Sequence, residues 1–236
     1  MSPFIAELMG TTIMMIIGNG VVANVVLPKT KGHNGGLIAI VMGWMIAVFV
    51  GVYMTSGISG GHLNPAVTIA LATAGKFNWD LVPTYIIAQL LGAMLGAFVV
   101  WMVYKPQFNA SEIAGDQLAC FATGPSIRDL KQNFMVETLA SFVFLLGIFF
   151  LQPAGIEMGA MSALPVSLLV AGIGFGLGGP TGWAINPARD LGPRIMHFIL
   201  PIRGKGPSDW GYALIPVVGP IVGGILAAII YLQFLQ

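Results

Sequence analysis

Leu63-Asn64-Pro65-Ala66 and Ile185-Asn186-Pro187-Ala188, 122 residues apart, decide how this chain is read. Each opens a short apolar stretch, Pro65–Gly75 and Pro187–Leu200. Proline is favoured in the first turn of a helix, where the N–H it lacks would have had no partner. Both stretches are too short to cross a bilayer, whose core of about 30 Å needs roughly 20 helical residues. They are predicted as half-helices. Each follows a glycine-rich segment, residues 56–61 and 174–182. Irregular backbone cannot face lipid, because each unpaired polar group there costs several kcal/mol, so these segments have to line an aqueous cavity or lie buried in protein.

The rest of the chain supplies the membrane. Of 236 residues, 56% are apolar and 8% charged, with a net charge of +1. A water-facing domain carries about 25% charged residues. Six runs long enough to span are free of Lys, Arg and Asp: Phe4–Leu27, Leu37–Gly57, Leu81–Tyr104, Phe134–Leu151, Met158–Leu177 and Trp210–Leu235. The first lacks a basic flank and contains Glu7, so it is read as a span and not as a signal peptide. No Lys/Arg cluster exists to hold nucleic acid. The single Cys120 excludes an intramolecular disulfide, and three scattered His give no metal site. No cofactor is implied.

Two further correspondences, with that of the Asn-Pro-Ala segments, show an internal repeat. Ala6-Glu7-Leu8-Met9-Gly10-Thr11 matches Val136-Glu137-Thr138-Leu139-Ala140-Ser141, and Tyr85, Gly92 and Gly96 return as Tyr212, Gly219 and Gly223 with the same internal spacing. The offsets are 130, 122 and 127 residues, in the same order along the chain. The fold expected is an all-α membrane protein of six transmembrane helices plus two half-helices, one channel domain over residues 1–236. Repeat one is placed at about 4–104 and repeat two at about 132–235, joined by the loop 105–131. Each copy crosses the membrane an odd number of times, so the second is inverted relative to the first.

Inverted half-helices enter from opposite faces and point their N-termini, each equivalent to about +0.5 of a charge, at one central place. A cation or hopping proton meets a barrier there; a neutral molecule with oxygen lone pairs does not. Asn64 and Asn186 sit at these ends and can each offer an amide donor to a passing oxygen. A water oriented by both breaks a proton wire.

His62-Leu63-Asn64-Pro65-Ala66-Val67-Thr68 and Asn186-Pro187-Ala188-Arg189-Asp190 resemble the paired NPA boxes of the major intrinsic proteins, the aquaporins and glycerol facilitators, and the resemblance runs from Glu7 to Gly223. It implies a tetramer with one pore per subunit, in the cytoplasmic membrane. It also implies a narrow filter at four positions, carried over by spacing from the asparagines: Trp44, Gly174, Trp183 and Arg189. Trp44 matches the aromatic of glycerol channels. Gly174 falls where water-selective members usually have His, and Trp183 where glycerol facilitators usually have the smaller Phe. Two aromatic walls suit a CH/CH₂ backbone, while Arg189 presents a rigid fork of donors to hydroxyl oxygens. Glycine at Gly174 widens the opening and bares a carbonyl. Asp190, Arg194 and Pro216-Val217 also look like the glycerol branch.

Glu7 and Glu137 lie inside spans, where a charge costs several kcal/mol. An ion relay is one reading. The resemblance implies the other, in which each carboxyl binds backbone N–H groups of its own half-helix loop. It also places His62 on the pore wall. Gly92/Gly96 and Gly219/Gly223 are read as close helix contacts. Counting Lys and Arg predicts the opposite orientation from the cytoplasmic termini that the resemblance implies; the motif match, being more specific, is followed.

The expected function is a passive channel for glycerol and other small neutral polyols with water, closed to ions and protons. Alternatives within the class are a water-selective channel or one for urea or a protonated weak acid. A secondary transporter is the rival from another class, though it has few acids to offer as coupling-ion ligands. An intramembrane enzyme lacks a nucleophile–base constellation.

Overall fold

The computed structural model describes residues 1–151 and 159–234. Ten α-helices are found among them: α1 (Pro3–Val26), α2 (Gly36–Ser59), α3 (Pro65–Thr73), α4 (Val82–Val103), α5 (Lys105–Ala110), α6 (Ala114–Ala119), α7 (Leu130–Phe150), α8 (Ala163–Leu177), α9 (Pro187–Ile199) and α10 (Ile215–Gln233). Six are long and apolar enough to cross a membrane: α1, α2, α4, α7, α8 and α10, the fourth and eighth counted with the short 3-10 turns that lead into them. These are the six expected spans. Met158 and Leu235, expected ends of the fifth and sixth, lie outside the described residues.

The boundaries move for local reasons. Helix α7 starts four residues early because Asp129 caps it, its side chain accepting from the Lys131 and Gln132 N–H groups. Helix α10 starts at Ile215, after turns over residues 210–214, with proline in its first turn. The two half-helices, α3 and α9, have 9 and 13 residues. At 1.5 Å per residue they rise about 13 and 20 Å, together about one bilayer core.

Helix α1 packs on α2 and α4, α7 packs on α10 and α8, and α2 meets α8 across the bundle. The half-helices cross over between these groups: α3 lies against α10, and α9 against α4. Small residues allow it. A Cβ on Gly192 of α9 would stand 2.8 Å from the Ala93 Cβ of α4, and one on Gly224 of α10 would stand 3.2 Å from the Ala66 carbonyl oxygen of α3. The repeated glycines do the same between full spans. Gly92 and Gly96 abut the α1 backbone at Leu8 and Thr12, and Gly219 and Gly223 abut α7 at Glu137 and Thr138.

Polarity is distributed inside out. Ile87, Leu91 and Leu95 of α4 are exposed at helical spacing, as are Leu139 of α7 and Leu168 of α8, whereas Glu7, Gln89, Glu137, Asp190 and Arg194 are fully buried. Apolar side chains face the hydrocarbon and polar ones face the interior, where each can find a partner.

Gly223→Ala is expected to lower the midpoint of thermal unfolding in detergent, at a cost of about 1–3 kcal/mol for overpacking, because its methyl would collide with the Thr138 carbonyl and stand 2.8 Å from the Phe142 nitrogen. Gly20→Ala, which meets nothing within 4 Å, should hold or raise the midpoint.

Candidate functional site

The site begins with two strained loops. In the first, Gly60, Gly61 and Leu63 have φ of +86°, +64° and +50°; in the second, Gly182, Trp183 and Ile185 have φ of +80°, +38° and +43°. The same left-handed pattern occurs 122 residues apart. For Leu63, Trp183 and Ile185 that conformation costs of order 1–3 kcal/mol each, and the surroundings must hold it.

Glu7 holds the first loop. Its Oε1 accepts from the Ser59 hydroxyl at 2.6 Å and the His62 N–H at 3.0 Å, and its Oε2 from the Leu63 N–H at 2.8 Å and Gln89 Nε2 at 2.7 Å. Glu137 holds the second. Its Oε1 accepts from the Thr181 hydroxyl at 2.6 Å and the Ala184 N–H at 3.0 Å, and its Oε2 from the Ile185 N–H at 3.0 Å. Both carboxyl groups are fully buried, off the cavity wall, with their oxygens occupied by their own loops.

Leu63 and Ile185 each turn their carbonyl to the opposite loop. Asn64 Nδ2 donates to the Ile185 carbonyl and Asn186 Nδ2 to the Leu63 carbonyl, both at 2.9 Å. The asparagine Oδ1 atoms cap their own half-helices, Asn64 accepting from Ala66 N–H and Asn186 from Ala188 and Arg189 N–H. Pro65 and Pro187 occupy the first turns, and Ala66 and Ala188 are fully buried behind them. The half-helix tips are thus bonded to each other. An asparagine amide has two donors; with one spent across the tips, a single N–H per asparagine is left for the cavity, half of what the sequence alone allows.

One cavity of about 640 Å³ passes this point. Trp44, Trp183 and Arg189 line it on one side of the asparagine pair, and His62, Leu71 and Lys76 on the other. The Arg189 guanidinium stacks 4.4 Å from the centre of the Trp44 ring. Its Nη1 and the Trp44 Nε1 are buried with no protein acceptor among the described residues. Gly174 is not on the wall. A Cβ there would be 3.1 Å from Trp183 Cε2 and 3.1 Å from Val41, so the indole covers the corner that glycine was expected to open.

His62 packs against both Phe77 and Tyr85, with ring centres 4.7 and 5.0 Å away, and those two rings are themselves 4.7 Å apart. Its Nδ1 lies 3.1 Å from Thr68 Oγ1, which also accepts from Gln89 Nε2 and donates to the Asn64 carbonyl. A hydroxyl has one hydrogen, so all three bonds hold together only when Nδ1 carries the imidazole proton, leaving a lone pair on Nε2.

Several polar residues that sequence reading did not place now have partners. Asp190 accepts from the Thr123 N–H at 2.7 Å and hydroxyl at 2.6 Å, and pairs with Arg194 at 2.8 Å; both side chains are fully buried. Arg194 reaches on to the Thr123, Ser208 and Asp209 carbonyls. Loops from both sides of α9 are thereby tied to it. The i,i+4 spacing was a visible signal. His197, one of the three scattered histidines, is fully buried, 2.8 Å from Ser208 Oγ and edge-on to Phe121. Lys205 Nζ donates to three carbonyls at the end of α9, a cation placed where the helix end is negative. In the 105–131 loop, Gln117 bonds the Phe108 and Arg203 carbonyls, and Cys120 is a buried spectator. Arg128 and Asp209 form a two-bond pair that holds the Asp209 carboxyl below the usual carboxylate range.

A bundle of six apolar spans, with half-helices joined tip to tip beside one long cavity, defines a membrane channel. The sequence pattern described as Major intrinsic protein matches residues 1–231. The chain is 51% identical over 234 residues to a protein of Streptococcus pneumoniae named Glycerol uptake facilitator protein, covering 99% of this chain and all of that one. It is 49% identical to a Probable glycerol uptake facilitator protein of Thermotoga maritima, with 98% of each chain covered. Among solved structures, the aquaglyceroporin from Plasmodium falciparum superposes with a TM-score of 0.88 at 33% identity, over 98% of this chain and 95% of that one. The chain belongs to the major intrinsic protein family and is a multi-pass protein of the cell membrane.

Glu137→Leu leaves two buried N–H groups and one hydroxyl without an acceptor, at about 1–3 kcal/mol each. Yield of monodisperse protein after detergent extraction should collapse. Glu137→Gln, which keeps one acceptor oxygen, should fall between the two.

Proposed function

We propose that this protein is a passive channel conducting glycerol and other small neutral polyols together with water, and excluding ions and protons. The observation that carries the reading is the composite wall of Trp44, Trp183 and Arg189. Two indoles offer apolar faces, and the guanidinium beside them has donor capacity that the described residues do not use. A polyol matches both at once, its carbon edge toward the aromatic rings and its hydroxyl oxygens toward Arg189. The names of the relatives, glycerol uptake facilitator and aquaglyceroporin, support the same solute class.

Farther in, Asn64 and Asn186 each present one N–H to a passing oxygen, and the adjoining helix N-termini repel positive charge. His62 offers its Nε2 lone pair to a solute hydroxyl. Glu7 and Glu137 hold the loops, and Asp190 with Arg194 anchors the mouth. Gly174 acts from behind Trp183. The matching loop geometry supports two repeats, about 4–104 and 132–235, joined by 105–131, and the family resemblance supports both termini in the cytoplasm with the second repeat inverted. No covalent bond is made or broken. The natural assembly is a homotetramer in lipid with one pore per subunit.

Proteoliposomes placed in a glycerol gradient should reswell without any ion gradient and with a rate linear in solute concentration; saturation at low glycerol, or a need for a cation gradient, would show a transporter instead. Arg189→Val should raise proton leak, read with an entrapped pH dye, while the protein still folds. An unchanged leak would remove Arg189 from the filter.

A further inference from the structure

We propose that Gly178 is a specificity-determining residue: with Gly174 it forms a shelf at the end of α8 on which the Trp183 indole is seated, and the depth of that seat sets the width of the passage. This rests on the reading of the cavity as a solute path.

A Cβ built on Gly178 would run into Cε3 of the Trp183 indole, stand 2.9 Å from its Cδ2 and lie 2.5 Å from the Gly174 carbonyl oxygen. One on Gly174 would stand 3.1 Å from Cε2 of the same ring. The two glycines, one helical turn apart, therefore touch adjoining atoms of the fused ring. Val41 of α2 closes the shelf beyond Gly174. Nearby Gly176 and Gly179 meet nothing within 4 Å, so the contact is confined to these two positions of the glycine-rich run.

The dihedral angles do not require glycine at position 178. Its φ of −75° and ψ of −23° are ordinary right-handed helical values, open to any residue. Gly182, with φ of +80°, is the contrasting case. What position 178 cannot accept is a side chain, and the groups in the way are the Trp183 indole and the Gly174 carbonyl oxygen.

Trp183 is itself held against a cost. It keeps a φ of +38°, whereas the corresponding place in the first loop is Gly61, at +64° with no side chain. The second loop thus retains a strained aromatic residue, only 7% exposed, whose free part borders the cavity. A ring confined by the shelf on one side can yield only toward the lumen. A methyl at Gly178 would push it there, and phenylalanine, lacking the second ring, would relieve the collision with the ring while leaving that with the Gly174 carbonyl.

The test measures glycerol, urea and water permeabilities in proteoliposomes for the wild type, Gly178→Ala, Gly178→Ala/Trp183→Phe and Gly179→Ala. Gly178→Ala should lower the glycerol-to-water ratio about tenfold, the scale of one methylene in an apolar pocket, and lower the urea ratio less. The double variant should move the ratio back toward the wild type, and Gly179→Ala should match the wild type. A Gly178→Ala protein with unaltered ratios, or one whose loss of flux or folding Trp183→Phe does not relieve, overturns the proposal. A wild type that passes water and urea but no glycerol overturns the proposed solute instead, and the shelf is then decided by the urea-to-water ratio.

Discussion

Two hydrogen bonds, from Asn64 Nδ2 to the Ile185 carbonyl and from Asn186 Nδ2 to the Leu63 carbonyl, hold this structure at its centre. They join half-helices that cannot span a membrane separately, and they do so where unpaired backbone would be most costly. Their geometry depends on Leu63 and Ile185 being left-handed, which turns each carbonyl away from its own helix. That strain depends in turn on Glu7 and Glu137, which accept the N–H groups of the same two residues. Carboxylate, strained residue and opposing asparagine form one chain of dependence, built twice.

The two copies share a backbone and differ in chemistry. Glu7 has Gln89 as an extra donor; the corresponding partner of Glu137 is Pro216, which has none to offer. Thr68, a relay between Gln89 and His62, corresponds to Asp190, which anchors Thr123 and Arg194. Gly61 corresponds to Trp183. The first half therefore turns its polar groups into an internal network that fixes one histidine. The second spends them on loop anchoring and places aromatic bulk beside the passage. Just one loop carries a large side chain at that left-handed position.

Solvent explains why so few charged residues suffice. In water, a buried pair such as Asp190 and Arg194 contributes little over a well-packed apolar substitute. Here the pair binds backbone carbonyls of both loops and the Thr123 amide. Its value lies in geometry, holding the 123 and 208–209 segments against α9.

The six spans, both half-helices and their asparagine caps were legible in the sequence, since run length against bilayer thickness and proline after asparagine are local properties. The bonding of the two glutamates to their loops also followed the resemblance. Three features were decided only by the tertiary structure. The asparagines spend half their donors on each other's loops, which no local pattern reveals because the partners are more than 120 residues apart. His197 is buried by Ser208 and Phe121, residues distant in the chain. Gly174 is covered and not open, because spacing from Asn186 places a residue along the pore axis but says nothing about how a neighbouring indole turns. Local sequence sets which elements form and how far they reach; the direction a side chain takes at their meeting point is fixed by the volume its neighbours leave.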